Sequence, residues 1–297
     1  PTAEIKSIEQ SKQLENPDAR VAFGSLNKDL ELLETFAESG GGCSSFDSPQ
    51  FISQFWEYRT IQYNVFIYCQ TAPNYDDLFS GRSQLLKWEN GKGQLSNLMN
   101  EKKRLENYSS GIWIVWSRFI GKRGVCLGMM RELPVTLYDG YAFDNNSGVL
   151  IPKDSKMLAS IWSFCSSRNY YDEVRRIDQK LNVTSGTLVK VPFDLEYWSK
   201  MAKEKYPNGL PEPYSDDPTQ WIFHGHPCGS VVWDETQKWT AHGPLRTDEY
   251  VLQVAVARLL GYRWPAELDE KMELAAEQRE WVKRCDALLS HADEDGI

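Results

Sequence analysis

A short run between residues 113 and 124 combines cationic and aromatic side chains in a way that could hold nucleic acid. Arg118, Lys122 and Arg123 lie beside a predicted hairpin turn that follows the alternating stretch WIVWS. Arginine forks pair with phosphates and guanine edges, and lysine contacts phosphates as a point charge. The run therefore predicts a turn that enters a groove of DNA. The alternative is a solvated hairpin tip over an aromatic core.

A second cluster contains residue types that bind metals. The stretch HGHPC brings His224, His226 and Cys228 close together, and His242 follows fourteen residues after Cys228. Zinc needs three or four such ligands in a tetrahedron, and a strong zinc motif has paired ligands at fixed spacing. Because this stretch has no second cysteine pair, it is a weak zinc candidate. A turn whose imidazoles bond to backbone groups is the alternative.

No other pattern indicates catalysis. Neither a Ser-His-Asp nor a Cys-His arrangement has a local signature here, and the chain has four histidines in all. The carboxylate pairs at 76–77 and 216–217 lie in turn-like sequence, which solvation explains. No glycine-rich loop of the phosphate-cradling type is present in the sequence.

Charge is divided unevenly along the chain. The net formal charge is −9, but it is −4 for residues 1–40, +4 for 41–190 and −9 for 191–297. Phosphate binding depends on local positive potential rather than on total charge. The central segment is therefore the part expected to contact nucleic acid.

Hydrophobic periodicity predicts an α+β fold in three parts. We expect a helical lead-in over 1–40, a β-rich domain over 41–190 and a mainly helical region over 191–297. The lead-in is expected to stop at the glycine run 40–42, and a period of 3.6 after Pro152 indicates a helix pair. Predicted strands cover 62–69, 84–88, 111–120, 125–130, 135–138, 148–151 and 187–191, and a helix over 195–205 is expected to begin after Asp194.

Composition favours a cytoplasmic protein that is not inserted in a membrane. The six cysteines are spread without close pairs, and no charged start followed by an apolar run marks a signal peptide. The longest apolar stretches are too short to span a bilayer. The chain begins at Pro1, which either removal of an initiator methionine or excision from a longer protein explains.

Several passages resemble one protein family. They are 55–58 (FWEY), 86–93 (LKWENGKG), 148–152 (GVLIP), 158–167 (LASIWSFCSS), 174–178 (VRRID), 188–194 (LVKVPFD), 221–227 (WIFHGHP) and 252–265 (LQVAVARLLGYRWP). These passages resemble the target-recognition domain and C-terminal region of large class I S-adenosylmethionine (SAM)-dependent DNA adenine-N6 methyltransferases. Enzymes of that type act in restriction-modification and phage-defence systems. The resemblance extends over most of residues 45–290.

The resemblance implies recognition without catalysis. The family's catalytic motif, Asn/Asp-Pro-Pro-Tyr/Phe, is absent, since the only Asn-Pro here is Asn16-Pro17 and Asp18 follows it. The family's cofactor loop is also absent, so this chain is expected to bind no cofactor itself. The resemblance places SAM and methyl transfer in a catalytic domain elsewhere in the parent protein, while residues 41–190 read or clamp double-stranded DNA. The expected DNA contacts, chosen by residue type and predicted position, are Arg59, Arg82, Arg118, Lys122, Arg123 and Arg131.

Two other functions stay open from the sequence. The acidic C-terminal third could dock another subunit of such a defence system, or restrain the catalytic domain of the parent protein. Alternatively, the histidine and cysteine residues at 224–242 could form the centre of a zinc-dependent enzyme.

Overall fold

Mixed helices and strands form the fold in a computed structural model. It describes residues 9–14, 16, 21–22, 29–44, 47–58, 60–106, 115–212 and 231–242, with isolated positions between 256 and 290. The helices are α1 Gln10–Gln13, α2 Ser48–Phe51, α3 Gln94–Glu106, α4 Leu158–Cys165, α5 Arg168–Ile177 and α6 Leu195–Lys205. The strands are β1 Ala37–Gly41, β2 Ile52–Gln54, β3 Phe66–Gln70, β4 Gln84–Lys87, β5 Gly124–Gly128, β6 Val135–Tyr138, β7 Ala142–Phe143, β8 Ser147–Pro152, β9 Val231–Asp234 and β10 Trp239–His242.

A four-stranded antiparallel sheet forms the centre of the fold. Its strand order is β1-β8-β5-β6, and Val125 of β5 pairs with Leu150 of β8 and Leu137 of β6. Every residue of β5 and β6 is buried, because both faces of this sheet are covered. The mostly apolar sequence of these strands reflects that two-sided burial, and the buried hydroxyl of Thr136 in β6 donates to the Leu78 carbonyl.

Alternate side chains of the central sheet pack into two different hydrophobic cores. On one face Val125, Leu127 and Leu150 pack with apolar side chains of α4, α5 and α6. On the other face Cys126 and Val149 pack with side chains of a second sheet and of α3. The period-two alternation of strand side chains therefore divides the interior into two layers.

The second sheet has the strand order β2-β4-β3-β7. β4 pairs antiparallel with both β2 and β3, and β7 joins β3 in parallel. A separate hairpin pairs β9 with β10. The fold is thus mixed α+β with a β-rich core, as the sequence predicts.

The helix pair and the following helix agree with the sequence pattern. Ser167 begins α5 by accepting a hydrogen bond from the amide of Tyr170, and Asp194 begins α6 by accepting from the amide of Tyr197. Buried Trp162 of α4 donates its indole N–H to the hydroxyl of Tyr206 at 2.9 Å, which joins α4 to the end of α6. No helix among the described residues is long and apolar enough to cross a membrane.

Three stretches differ from the sequence prediction. Gln10–Gln13 are helical, but the helix predicted up to residue 40 is wrong over its last part, since 37–41 form β1 and pair with β8. Gly40 allows this, because a Cβ there would lie 2.0 Å from the Phe119 ring. The strand predicted at 187–191 is wrong for its first part, where Ser185–Val189 form a 3-10 helix and the Thr187 amide donates to the Thr184 carbonyl.

The strand predicted at 111–120 is also wrong in its described part. Residues Val115–Phe119 form a 3-10 helix. Trp116 and Phe119 are three positions apart, and a 3-10 helix points such a pair in one direction. Both rings are fully buried in the second core, which explains why the aromatic pattern does not alternate as a strand. The three-part domain division stays a prediction.

Candidate nucleic-acid interface

Arg118, Lys122 and Arg123 lie together on the segment 118–123, called here the basic turn. It connects the 3-10 helix Val115–Phe119 to central strand β5. The side chains of the three cations are 53, 45 and 52% exposed, in chain order. Three partly exposed positive charges within six residues are suited to contact a phosphate backbone.

Phe119 supports the basic turn from below. Its ring is fully buried, and the Arg118 guanidinium lies 4.6 Å from the ring centroid. The Lys122 ammonium lies 5.7 Å from the same centroid. Cations at such distances are attracted to the ring face, so this side chain helps to hold both charges at the surface.

Backbone contacts attach the basic turn to the loop after β6. Gly121 donates its amide to the Gly140 carbonyl at 2.8 Å, and both glycines have positive φ. The Tyr138 hydroxyl lies 3.2 Å from the Phe119 carbonyl oxygen and 2.5 Å from that of Tyr141. Burial raises the pKa of Tyr138, so this hydroxyl stays protonated and remains a donor. The turn is therefore held in one position relative to the central sheet.

Carboxylates from distant parts of the chain face the basic turn. Glu38 of β1 lies 2.8 Å from the Lys122 ammonium and 3.8 Å from the Arg118 guanidinium. Glu212 lies 3.5 Å from the guanidinium of Arg123. Exposed ion pairs contribute about 0–1 kcal/mol, so a phosphate can replace either carboxylate at small cost. Three cations against two carboxylates leave this surface with net positive charge.

We expect different costs for alanine at the two glycines of this contact. At Gly121 a new Cβ would meet no atom within 4 Å. Gly121→Ala is therefore expected to cost only the strain of a positive φ in a non-glycine residue, about 1–2 kcal/mol. At Gly140 the new Cβ would also lie 2.6 Å from the Gly121 amide nitrogen, so Gly140→Ala is expected to cost at least about 3 kcal/mol. Urea unfolding of both variants measures this difference. Equal losses of unfolding free energy would contradict the close packing of the turn.

The structure separates the other predicted DNA contacts from the basic turn. Arg59 lies outside the described residues. Arg131 is exposed but follows the far end of β5, so the length of that strand, roughly 15 Å, lies between it and the turn. It does not share the surface of Arg118, Lys122 and Arg123.

Arg82 is corrected from a DNA contact to a structural residue. Its side chain is 1% exposed, and Nη2 lies 2.7 Å from the Asp139 carboxylate. The guanidinium also donates to the carbonyls of Ser80 and Leu137. Because its donors are occupied by these partners, the buried guanidinium has no free face for phosphate. The Arg82 side chain instead links the loop before β4 to the end of β6.

The zinc prediction falls largely outside the described residues. His224, His226 and Cys228 lie there, and of His242 the structure describes only the backbone, which ends β10. Within the described part of the chain, no three His, Cys, Asp or Glu side chains could hold a metal ion.

The described cysteines are unsuited to nucleophilic chemistry. Cys43 and Cys126 are buried, and burial raises the pKa of each thiol to about 12. Because the thiolate is the reactive form, these side chains are unreactive at neutral pH.

The turn between β4 and α3 does not fit a phosphate or SAM. It contains Gly91 and Gly93 ahead of a helix, which is the local order of a glycine loop. However, the Glu89 carboxylate accepts from the Gln94 amide at 3.0 Å, and a Cβ at Gly93 would lie 1.7 Å from Glu89 Oε2. The position that an anion would take is occupied by a carboxylate.

Sequence reasoning missed an aromatic groove beside the basic turn. The groove encloses about 210 Å³. The described residues that line it are Tyr63, Val65, Phe66, Ile67, Tyr68, Trp88, Asn90 and Tyr141. The density of aromatic residues between 58 and 68 was a signal, but strand formation explained it equally well.

Comparison with known proteins adds a likeness to solved structures. No family model matches the chain, and no curated protein matches it. Among solved structures, the chain is similar to the Type IIL restriction-modification enzyme MmeI in complex with DNA, at 10% identity and a TM-score of 0.35. The match covers 93% of this chain and 34% of that enzyme, so the chain spans about a third of its length. The functional assignment therefore depends on the geometry of the site itself.

Proposed function

We propose that this chain is a non-catalytic DNA-recognition part of a SAM-dependent DNA adenine methyltransferase in a restriction-modification or phage-defence system. The basic turn is the observation that supports DNA binding most strongly. Its three cations are exposed, and two of them lie over the buried Phe119 ring, whereas Arg82, which the sequence offered equally, is enclosed. The methyltransferase part of the proposal depends on the sequence passages that resemble that family.

The basic turn would act by holding phosphates. The Arg118 and Arg123 guanidinium groups can each donate two parallel hydrogen bonds to one phosphate, and Lys122 adds a point charge. Because the turn joins directly to buried β5, phosphates bound there would orient DNA relative to the central sheet. The parent protein would supply SAM and the catalytic domain, so its partners would be double-stranded DNA and that domain. A cytoplasmic location and further defence-system subunits belong to the same proposal.

A second candidate function is supported by the acidic partners of the turn. Glu38 and Glu212 already contact all three cations. A protein partner with exposed carboxylates could replace them in the same way as phosphates. The chain would then be an interaction scaffold or a regulatory region of such a system.

Binding to a mixed-sequence duplex distinguishes the two functions. We expect fluorescence anisotropy to show that the chain binds a labelled 20-base-pair duplex at low salt, and that equal charge concentrations of polyglutamate compete weakly. Strong competition by polyglutamate, without duplex binding, would favour the scaffold and contradict DNA recognition.

A further inference from the structure

The aromatic groove has the form of a slot for one flat aromatic group. Tyr68 forms its floor, since this side chain is 7% exposed. The rings of Tyr63 and Tyr141 lie 6.2 and 5.4 Å from the Tyr68 ring and are tilted against it by 54 and 58°. Tyr63 and Tyr141 therefore form two walls of the groove that both contact Tyr68. Pockets for drug-sized ligands enclose about 300–1,000 Å³, so the 210 Å³ here suit a smaller flat group.

The groove adjoins the basic turn through direct contacts. Tyr141, which lines the groove, follows Gly140, whose carbonyl accepts from the amide of Gly121. The carbonyls of Tyr141 and Phe119 both contact the Tyr138 hydroxyl. A chain of nucleotides with a phosphate on the turn would thus have its next groups beside the groove.

We propose that the aromatic groove binds one unpaired nucleobase of the DNA whose phosphates lie on the basic turn. This rests on the proposed function, because the cations supply the neighbouring phosphate contact. Stacking on aromatic side chains is available to every base through its flat face. The base must be unpaired, since a base within a duplex already has both faces stacked.

Two further features favour a nucleobase over an apolar group. Tyr63 is 63% exposed, so a large ring is presented to the solvent at the mouth of the groove. Asn90, an exposed residue of the lining, supplies an amide, whose nitrogen donates a long 3.4 Å bond to the Asn64 carbonyl. Amides pair with donors and acceptors on base edges. Aromatic floor, polar rim and adjacent cations together match a nucleotide.

The test compares two duplexes that differ only in one unpaired thymine. We expect anisotropy to show that the chain binds the duplex with the bulged thymine about tenfold more tightly than the fully paired duplex. Tyr63→Ala is expected to abolish that preference and to leave affinity for the paired duplex unchanged. Tyr63→Phe keeps the ring and should keep the preference. Tyr75→Ala is a matched control, because Tyr75 is 71% exposed and does not line the groove.

A fluorescent base provides a second measurement. With 2-aminopurine at the unpaired position, stacking in the groove should quench its emission in the wild-type chain and not in Tyr63→Ala. Equal affinity for the two duplexes, or a preference that survives Tyr63→Ala, would overturn the proposal. In either case, salt-dependent binding of the paired duplex would leave the DNA-recognition function standing. If the chain bound neither duplex, both the groove proposal and the DNA-recognition function would be overturned.

Discussion

Replacing Arg118, Lys122 and Arg123 together by glutamine is expected to lower affinity for duplex DNA about a hundredfold at low salt. Each charge-assisted contact to phosphate is worth about 1 kcal/mol or more, and the variant removes three of them. Glu38 would also face the phosphates without its two cationic partners. The dependence of log affinity on log salt should become shallower by about 3, because each phosphate contact contributes about 0.9. Anisotropy titrations at several salt concentrations measure both quantities.

A matched variant controls for the loss of charge. Lys180 lies at the far end of β5, since Arg175 contacts the carbonyls of both Lys180 and Arg131. Lys200 and Lys203 lie on α6, which packs on the face of the central sheet opposite Phe119. Changing these three lysines to glutamine alters net charge equally and should leave affinity within about threefold of the wild type. If both triple variants lost affinity to the same degree, general charge rather than the basic turn would hold the DNA.

Arg82→Met is expected to destabilise the folded chain by about 3 kcal/mol. The substitution leaves the Asp139 carboxylate, 18% exposed, without the guanidinium that lies 2.7 Å away. Breaking a buried ion pair from one side costs about 3–5 kcal/mol, and the partial exposure of Asp139 argues for the lower end. The Leu137 carbonyl keeps a donor, since the Gln70 amide also bonds to it at 2.7 Å. Urea unfolding of the variant measures the loss.

Two comparisons show whether that loss comes from the buried pair. Adding Asp139→Asn to Arg82→Met should recover part of the stability, because the unpaired buried charge is removed. Arg168→Gln breaks exposed pairs with Glu132 and Asp172 and should cost less than about 1 kcal/mol. If Arg82→Met instead weakened DNA binding and left stability unchanged, Arg82 would be a DNA contact as its sequence position suggested.

The central strands and the helices after them were predictable because their signals are local. β5, β6 and β8 are buried on both faces and have mostly apolar sequence, and the predicted strand 135–138 coincides with β6. The helix that follows Asp194 has a local cap and a glycine stop beyond it. Such features lie within a few residues of each other, so one stretch of sequence contains them fully.

The remaining elements depend on partners that are distant in sequence. β1 forms because its backbone pairs with that of β8, which lies more than a hundred residues later in the sequence. Aromatic residues at 113–119 fit a strand or a 3-10 helix, and the core that buries Trp116 and Phe119 decides between them.

The candidate site shows the same limit. Residue type identified the cations at 118–123, yet Arg82 has the same type and is buried against Asp139, 57 residues away. Glu38 and Glu212, which face the turn, come from segments far from it in sequence. Exposure and ion pairing are properties of the tertiary structure, so sequence alone could not separate a phosphate contact from a structural arginine.

The salt dependence of duplex binding by the wild-type chain tests the central claim most directly. Three phosphate contacts on the basic turn predict that log affinity falls against log salt with a slope of about −3 or steeper. A slope near zero, or no binding of duplex DNA at low salt, would contradict a phosphate-binding surface on this chain.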